Sequence, residues 1–125
     1  RPAATGRSSL RALPLIEIIP ADGLYDYEAK YTRDDTRYLL DPELPPDIKD
    51  RLLRQTEALA RAMGVRHLCR ADFILDDDNR AWFLEINTMP GFTGHSLVPM
   101  AAAHAGLDMP RLCAHLVDCA LGERK

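Results

Sequence analysis

The sequence lacks the features of three large protein classes. No apolar run approaches the roughly 18–20 residues that a helix needs to cross a bilayer. Positive charge is not in excess, because 16 lysines and arginines stand against 19 aspartates and glutamates, for a net charge of −3. Neither a nucleic acid nor an anionic membrane is therefore an expected partner. Residues 1–7 lack the apolar centre of a secretory signal.

Cysteine is also scarce, and its pattern argues against a disulfide framework. The three cysteines form no C-x-x-C motif: Cys69, Cys113 and Cys119. We therefore expect a reducing, cytoplasmic compartment and find little support for a structural zinc site. Three histidines show no metal-ligand spacing with these cysteines and are expected to be structural: His67, His104 and His115.

The 125 residues suffice for one small domain, and 46% hydrophobic with 28% charged residues is an ordinary globular composition.

Residues 1–12 are aperiodic and are expected to be loose. A β-branched run at residues 13–19 predicts a strand. Residues 21–45 show no period and contain four tyrosines. They are expected to form a loop, which either covers a substrate or is an irregular surface excursion.

Helices are predicted in the middle and at the end of the chain. Over residues 46–63, apolar side chains such as Ile48 and Leu52 recur on one helical face, as do Leu59 and Met63. Ser96 is a candidate N-cap for a second helix, and Asp108 is a candidate N-cap for a third.

Between these helices, residues 67–75 and 81–87 read as a hairpin closed by an acidic turn. Strand alternation places seven apolar residues on one face, predicted to be core: Cys69, Ala71, Phe73, Leu75, Trp82, Leu84 and Ile86. The opposite face carries the remaining residues: Arg70, Asp72, Ile74, Phe83, Glu85 and Asn87.

If the turn centres on residues 78–79, Asp72 lies opposite Glu85 and Arg70 lies opposite Asn87. Cross-strand neighbours are about 5 Å apart at Cβ, so the two carboxylates repel unless a cation lies between them. Two interpretations follow. Arg70 could be that cation, in a cross-strand ion pair on a solvated face. Alternatively, the oxygen donors could bind Mg²⁺, whereas zinc would favour histidine or cysteine.

The segment that follows the hairpin leads from a strand to a helix start. Pro90 and Gly91 place backbone N–H groups in a turn beside the carboxylates, where they could stabilise an oxyanion. Ser96 at a helix N-terminus is suited to bind a carboxylate. A plain turn and a plain helix cap are the alternatives.

Four stretches together resemble the D-alanine–D-alanine ligases of the ATP-grasp superfamily: Y-D-Y-E-A-K-Y at residues 25–31, R-A-D at 70–72, E-I-N-T-M-P-G-F-T at 85–93 and H-S-L-V-P-M-A at 95–101. The resemblance covers residues 13–121. It implies an α/β (α+β) fold, the C-terminal subdomain of an ATP-grasp domain, with antiparallel strands packed on helices.

The resemblance also implies a reaction. ATP would phosphorylate the carboxylate of one D-alanine, and the amine of a second D-alanine would attack the acyl phosphate. The dipeptide would enter peptidoglycan synthesis. The implied cofactors are ATP and two Mg²⁺ or Mn²⁺ ions.

Roles for single residues follow only from the resemblance. Asp72, Glu85 and Asn87 match the family's metal ligands. Arg70 matches an arginine that stabilises the phosphoryl and tetrahedral intermediates, and Gly91 matches an oxyanion donor. Lys30 matches a lysine that reaches the ATP phosphates, and Tyr31 matches a tyrosine associated with dipeptide formation. Ser96 and Leu97 match the site for the second alanine's carboxylate.

Family members are much longer than this chain. The N-terminal and central ligase domains would be required in cis or in trans, and the family is often homodimeric. Two alternatives stay open. The chain could be an inactive remnant or a subunit of a split ligase. It could also belong to a D-lactate- or D-serine-using ligase, against which Tyr31 argues.

Overall fold

The computed structural model describes residues 10–20 and 36–122. Within them lie four strands and three helices, in the order β1 (Ile16–Ile19), β2 (Arg37–Leu40), α1 (Pro46–Ala62), β3 (Arg70–Leu75), β4 (Ala81–Asn87), α2 (Leu97–His104) and α3 (Met109–Gly122). The strands form two antiparallel pairs, β1–β2 and β3–β4. The expected α+β class is therefore confirmed. Of the helices in these ranges, none has the length and apolarity needed to cross a membrane.

Strand β2 lies inside the segment that was expected to be a loop over residues 21–45. Its four residues pair with β1 from Arg37–Ile19 to Leu40–Ile16. Four exposed residues are too few to show alternation, so this strand depends on its pairing with β1. Residues 21–35 of the expected loop lie outside the described residues, as do residues 1–9 of the expected loose segment.

Helix α1 confirms the predicted helix to within one residue. Pro46 occupies its first turn, where a missing N–H is harmless. Met63 is the C-cap, and Gly64 follows with a φ of 72°, a left-handed conformation that glycine adopts without strain. Ile48 and Leu52 are buried as predicted, but Met63 is 58% exposed and does not join the packed face.

Helices α2 and α3 supply the other part of the core. Their buried side chains include three small or β-branched residues of α2 and one leucine of α3: Val98, Ala101, Ala102 and Leu112. Asp108 caps α3 as predicted, because its Oδ1 accepts the Arg111 N–H at 3.0 Å.

The β3–β4 hairpin has the predicted register at its open end, with Arg70 opposite Asn87 and Asp72 opposite Glu85. Beyond Asp72 the register shifts, because Phe73 pairs with Phe83 and leaves Leu84 as a bulge. One extra residue reverses the alternation for the rest of the strand.

The predicted core face of β4 was therefore wrong near the turn. Phe83 lies on the face of Phe73, and their ring centroids are 5.7 Å apart. That face looks towards α1, since both phenylalanines line one depression with Leu59. Trp82 and Leu84, expected in the core, are 56% and 52% exposed.

The acidic turn closes this hairpin through Asp76. Its carboxylate accepts hydrogen bonds from the backbone N–H groups of Asp78 and Arg80, each at 2.9 Å, and from the Trp82 indole N–H at 3.0 Å. Arg51 of α1 donates to the Asn79 carbonyl at 2.7 Å and ties the turn to the helix. The Asp76 carboxylate and the Asn79 carbonyl thus hold the turn closed and attached to α1.

Candidate functional site

Three charged side chains converge at the open end of the β3–β4 hairpin. Arg70 donates to both carboxylate oxygens of Asp72, from Nε at 2.8 Å and from Nη2 at 3.1 Å. The same Nη2 lies 3.5 Å from Glu85 Oε1 across the strand pair. The side chains of Arg70 and Asp72 are only 17% and 14% exposed, whereas that of Glu85 is 49% exposed. The predicted convergence is present, and the guanidinium lies where the ion-pair interpretation placed it.

Asn87 completes this face at the end of β4. Its Oδ1 accepts the Met89 N–H at 2.8 Å, a local turn that holds the amide in place as the chain leaves the strand. Because Arg70 is its cross-strand partner, the amide lies at the same end of the hairpin as the two carboxylates. We refer to Asp72, Glu85 and Asn87 as the oxygen face.

The oxygen face suits a hard cation. Two carboxylates and an amide supply only oxygen donors, which Mg²⁺ and Mn²⁺ accept and zinc seldom selects. Across residues 10–20 and 36–122, no three His, Cys, Asp or Glu side chains are grouped to hold a metal. The third protein ligand would therefore be the amide, and a bound ion would share Asp72 with Arg70.

Ser96 is the N-cap residue of α2, the predicted position, but its side chain does not bond the first turn of the helix. Its backbone is extended, at φ −84° and ψ 152°, and its side chain makes no capping hydrogen bond to a described residue. Instead, Ser96 Oγ accepts the Thr93 N–H at 2.9 Å and lies 2.9 Å from Thr93 Oγ1. The hydroxyl is thus turned back towards the loop that follows the oxygen face.

Thr93 and Gly91 also shape this loop, and no role was predicted for Thr93. Thr93 orients Ser96, and its own Oγ1 accepts the His95 N–H at 3.2 Å. Gly91 leaves room for the hydroxyl, because a Cβ there would lie 3.0 Å from Ser96 Oγ. A threonine three residues before a serine at a helix start was the available signal for this pairing.

The first turn of α2 offers a small set of N–H donors. Pro99 has no N–H, and the Met100 N–H donates to the Ser96 carbonyl at 3.1 Å. The other N–H groups of the turn belong to Leu97, a predicted site residue, and to Val98, for which no role was predicted. The positive end of the helix dipole lies at the same turn, an environment suited to an anion.

Two predicted site residues lie outside the described part of the chain. Lys30 and Tyr31 fall in residues 21–35. The structure therefore brings together Arg70 and the oxygen face, and separately Gly91 with Ser96 beside Leu97. The roles assigned to Lys30 and Tyr31 stay predictions.

Comparison with known proteins identifies related chains. The profile of the family described as "D-ala D-ala ligase C-terminus" matches residues 3–118. The D-alanine–D-alanine ligase of Bordetella avium is 45% identical over 113 residues, which are 90% of this chain and 35% of that protein. The corresponding ligase of Aromatoleum aromaticum is 50% identical over 113 residues, or 90% of this chain and 37% of the relative.

Solved structures give the same picture. The D-alanine–D-alanine ligase of Bacillus anthracis complexed with ATP superposes with a TM-score of 0.74 at 32% identity, over 90% of this chain and 36% of the ligase. The VanG D-Ala:D-Ser ligase of Enterococcus faecalis gives a TM-score of 0.76 at 25% identity, over 91% of this chain and 33% of that chain. The chain thus spans about a third of the length of these proteins, with the fold expected for the C-terminal part of an ATP-grasp ligase domain.

Proposed function

Because this chain belongs to the family of D-alanine–D-alanine ligase C-termini, we propose that it supplies the metal-binding and second-substrate part of such a ligase. The reaction would phosphorylate the carboxylate of one D-alanine with ATP and form an amide with a second D-alanine, for peptidoglycan synthesis. The observation that carries the proposal is the convergence of Asp72 and Glu85 around Arg70, beside Asn87. The chain spans 35–37% of the curated relatives described above, so the other parts of the ligase would act in cis or in trans.

The oxygen face would hold one or two Mg²⁺ or Mn²⁺ ions. Bound ions would neutralise the oxygens of the transferring phosphoryl group. Arg70 has a separate task. Its guanidinium is held by Asp72 at 2.8 and 3.1 Å, so it is preoriented at the open end of the hairpin. There it would stabilise negative charge on the phosphoryl group and then on the tetrahedral intermediate. Lys30 would contact the ATP phosphates.

The second D-alanine would bind at the start of α2. Ser96 Oγ and the N–H groups of Leu97 and Val98 would receive its carboxylate, which leaves its amine free to attack. The hydroxyl is already positioned by two contacts of 2.9 Å with Thr93, so little side-chain freedom remains to be lost on binding. The Gly91 N–H would donate to the developing oxyanion. Tyr31 would favour dipeptide formation.

A ligase that uses D-serine is the second candidate, because the similar Enterococcus faecalis structure is a D-Ala:D-Ser ligase. We place D-alanine first, since the curated relatives at 45% and 50% identity are D-alanine–D-alanine ligases. All three cysteines are free thiols, which fits a reducing, ATP-containing compartment such as the cytoplasm.

The proposal is tested by calorimetric titration of the purified chain with ATP, with and without Mg²⁺. The expected result is magnesium-dependent binding that Asp72→Asn and Glu85→Gln each remove. Asp77→Asn is the matched control, because it makes the same charge change in the exposed turn of the same hairpin and should bind as wild type. Wild-type affinity in both site variants, or no binding by the folded chain, would overturn the assignment of the oxygen face.

The substrate is tested by supplying the other two thirds of a relative's ligase in trans and measuring phosphate release with D-alanine, D-serine or D-lactate as acceptor. Preference for D-alanine supports the first candidate. Preference for D-serine replaces it with the second. Phosphate release no greater than from the relative's portion alone would mean that this chain contributes no ligase activity.

A further inference from the structure

His115 and Cys119 form a pair on helix α3, outside the face and loop described above. They are one helical turn apart, and Cys119 Sγ lies 3.6 Å from His115 Nε2. Cys119 is a free thiol that is partly exposed, and His115 is exposed. The two side chains meet because i and i+4 residues share one side of a helix.

The separation of the two atoms matches that of two ligands on one zinc ion. Zinc binds thiolate sulfur at about 2.3 Å and imidazole nitrogen at about 2.0–2.1 Å in tetrahedral geometry, which places the two ligand atoms about 3.5 Å apart. The observed distance is 3.6 Å. Small side-chain rotations would direct both lone pairs at a common ion, so the backbone of α3 need not move.

We propose that His115 and Cys119 together bind a thiophilic divalent metal such as Zn²⁺. The ligands would be the Cys119 thiolate and Nε2 of neutral His115, and the thiol proton would pass to solvent on binding. No cluster of three His, Cys, Asp or Glu ligands occurs in the described ranges, so water completes the coordination. The site differs from the oxygen face in chemistry, since Mg²⁺ prefers oxygen ligands and a sulfur–nitrogen pair selects softer ions.

An open site of two ligands binds metal more weakly and exchanges it more readily than a closed structural site. Exposure of His115 gives the ion a direct path from solvent. The pair could instead make only a hydrogen bond between imidazole and sulfur. Metal titration separates these two cases, because a hydrogen-bonded pair without metal affinity gives no saturable signal.

The experiment is titration of the whole, reduced chain with ZnCl₂ by calorimetry and with CoCl₂ by absorbance. Binding of one ion per chain is expected, with a thiolate-to-cobalt charge-transfer band. His115→Ala and Cys119→Ser should each weaken binding by at least about tenfold, because loss of even an outer-shell partner of a metal costs about 10–100-fold. ATP is absent, so the result is independent of the ligase proposal.

Cys113→Ser is the matched control, since Cys113 is an exposed thiol on the same helix. It should keep wild-type affinity and the cobalt band. Circular dichroism of each variant confirms that α3 remains folded. Absence of saturable binding, unchanged affinity in His115→Ala and Cys119→Ser, or an equal loss in Cys113→Ser would overturn the site.

Discussion

Ser96 Oγ lies 3.0 Å from the point at which a Cβ atom on Gly91 would stand. This approach couples the turn after β4 to the start of α2. The same hydroxyl accepts the Thr93 N–H at 2.9 Å. Its position therefore requires that residue 91 has no side chain, and it is fixed by the hydrogen bond from Thr93. A side chain at Gly91, the proposed oxyanion donor, would therefore also move Ser96, which belongs to the proposed carboxylate site.

Gly91→Ala should displace the Ser96 hydroxyl and weaken its bond to Thr93. The new methyl group would approach the oxygen more closely than ordinary van der Waals contact permits. Faster exchange of the Thr93 amide hydrogen, followed by NMR, is the expected result. Gly94→Ala is the control, since a Cβ there has nothing within 4 Å. Equal exchange rates in both variants would contradict the coupling.

Arg70→Ala should affect metal and nucleotide in opposite directions. Removal of the guanidinium takes away a cation that contacts both Asp72 and Glu85, so Mn²⁺ should bind about two- to fivefold more tightly, equivalent to ~0.4–1 kcal/mol. ATP should bind more weakly, because the cation proposed to face its phosphates is lost. Titration calorimetry with each ligand measures both effects. Arg54→Ala is the control, because it removes a cation that pairs with Asp50 on α1, and it should change neither the Mn²⁺ affinity nor the ATP affinity. A loss of both affinities in Arg70→Ala would contradict the proposed positions of the metal and the phosphates.

Protonation of Asp76 should loosen the hairpin turn at low pH. The Trp82 indole hydrogen bond, followed by that of the Arg80 backbone N–H, holds the pKa of Asp76 below its ordinary value of 3.8. Because the folded-state pKa is lowered, its contribution to stability is complete above pH 3.8 and is lost as the pH falls through the folded-state pKa.

Trp82 is the only tryptophan in the sequence, so its fluorescence reports this step directly. A transition with a midpoint below pH 3.8 is expected in the wild type and should be absent in Asp76→Asn. Asp77→Asn should retain it. A transition at the same pH in Asp76→Asn would assign the step to another carboxylate.

Leu112→Ala should be among the more destabilising single changes in α3. Leu112 is 4% exposed, and truncation of a buried leucine costs about 2–5 kcal/mol through lost burial and the cavity left behind. Urea unfolding followed by circular dichroism measures the change. Leu121→Ala, at a position 51% exposed on the same helix, should stay within about 0.5 kcal/mol of wild type. Similar losses in both variants would mean that α3 is not anchored through Leu112.

Local patterns predicted much of the framework. The apolar period and the flanking Pro46 and Gly64 placed α1 to within one residue, and Asp108 caps α3 as expected. The facing positions of Asp72 and Glu85 followed from turn length and strand alternation. These features depend on residues close in sequence, or on a strand register that one short turn sets, so they can be predicted without tertiary information.

The sequence by itself therefore determined the helices, the hairpin and the residues of the oxygen face. Only the tertiary structure decided how those elements present their side chains. The bulge at Leu84 turned Trp82 outward, and β2 formed because β1 was available to pair. In both cases contacts between separate strands select one of the arrangements that the local sequence allows.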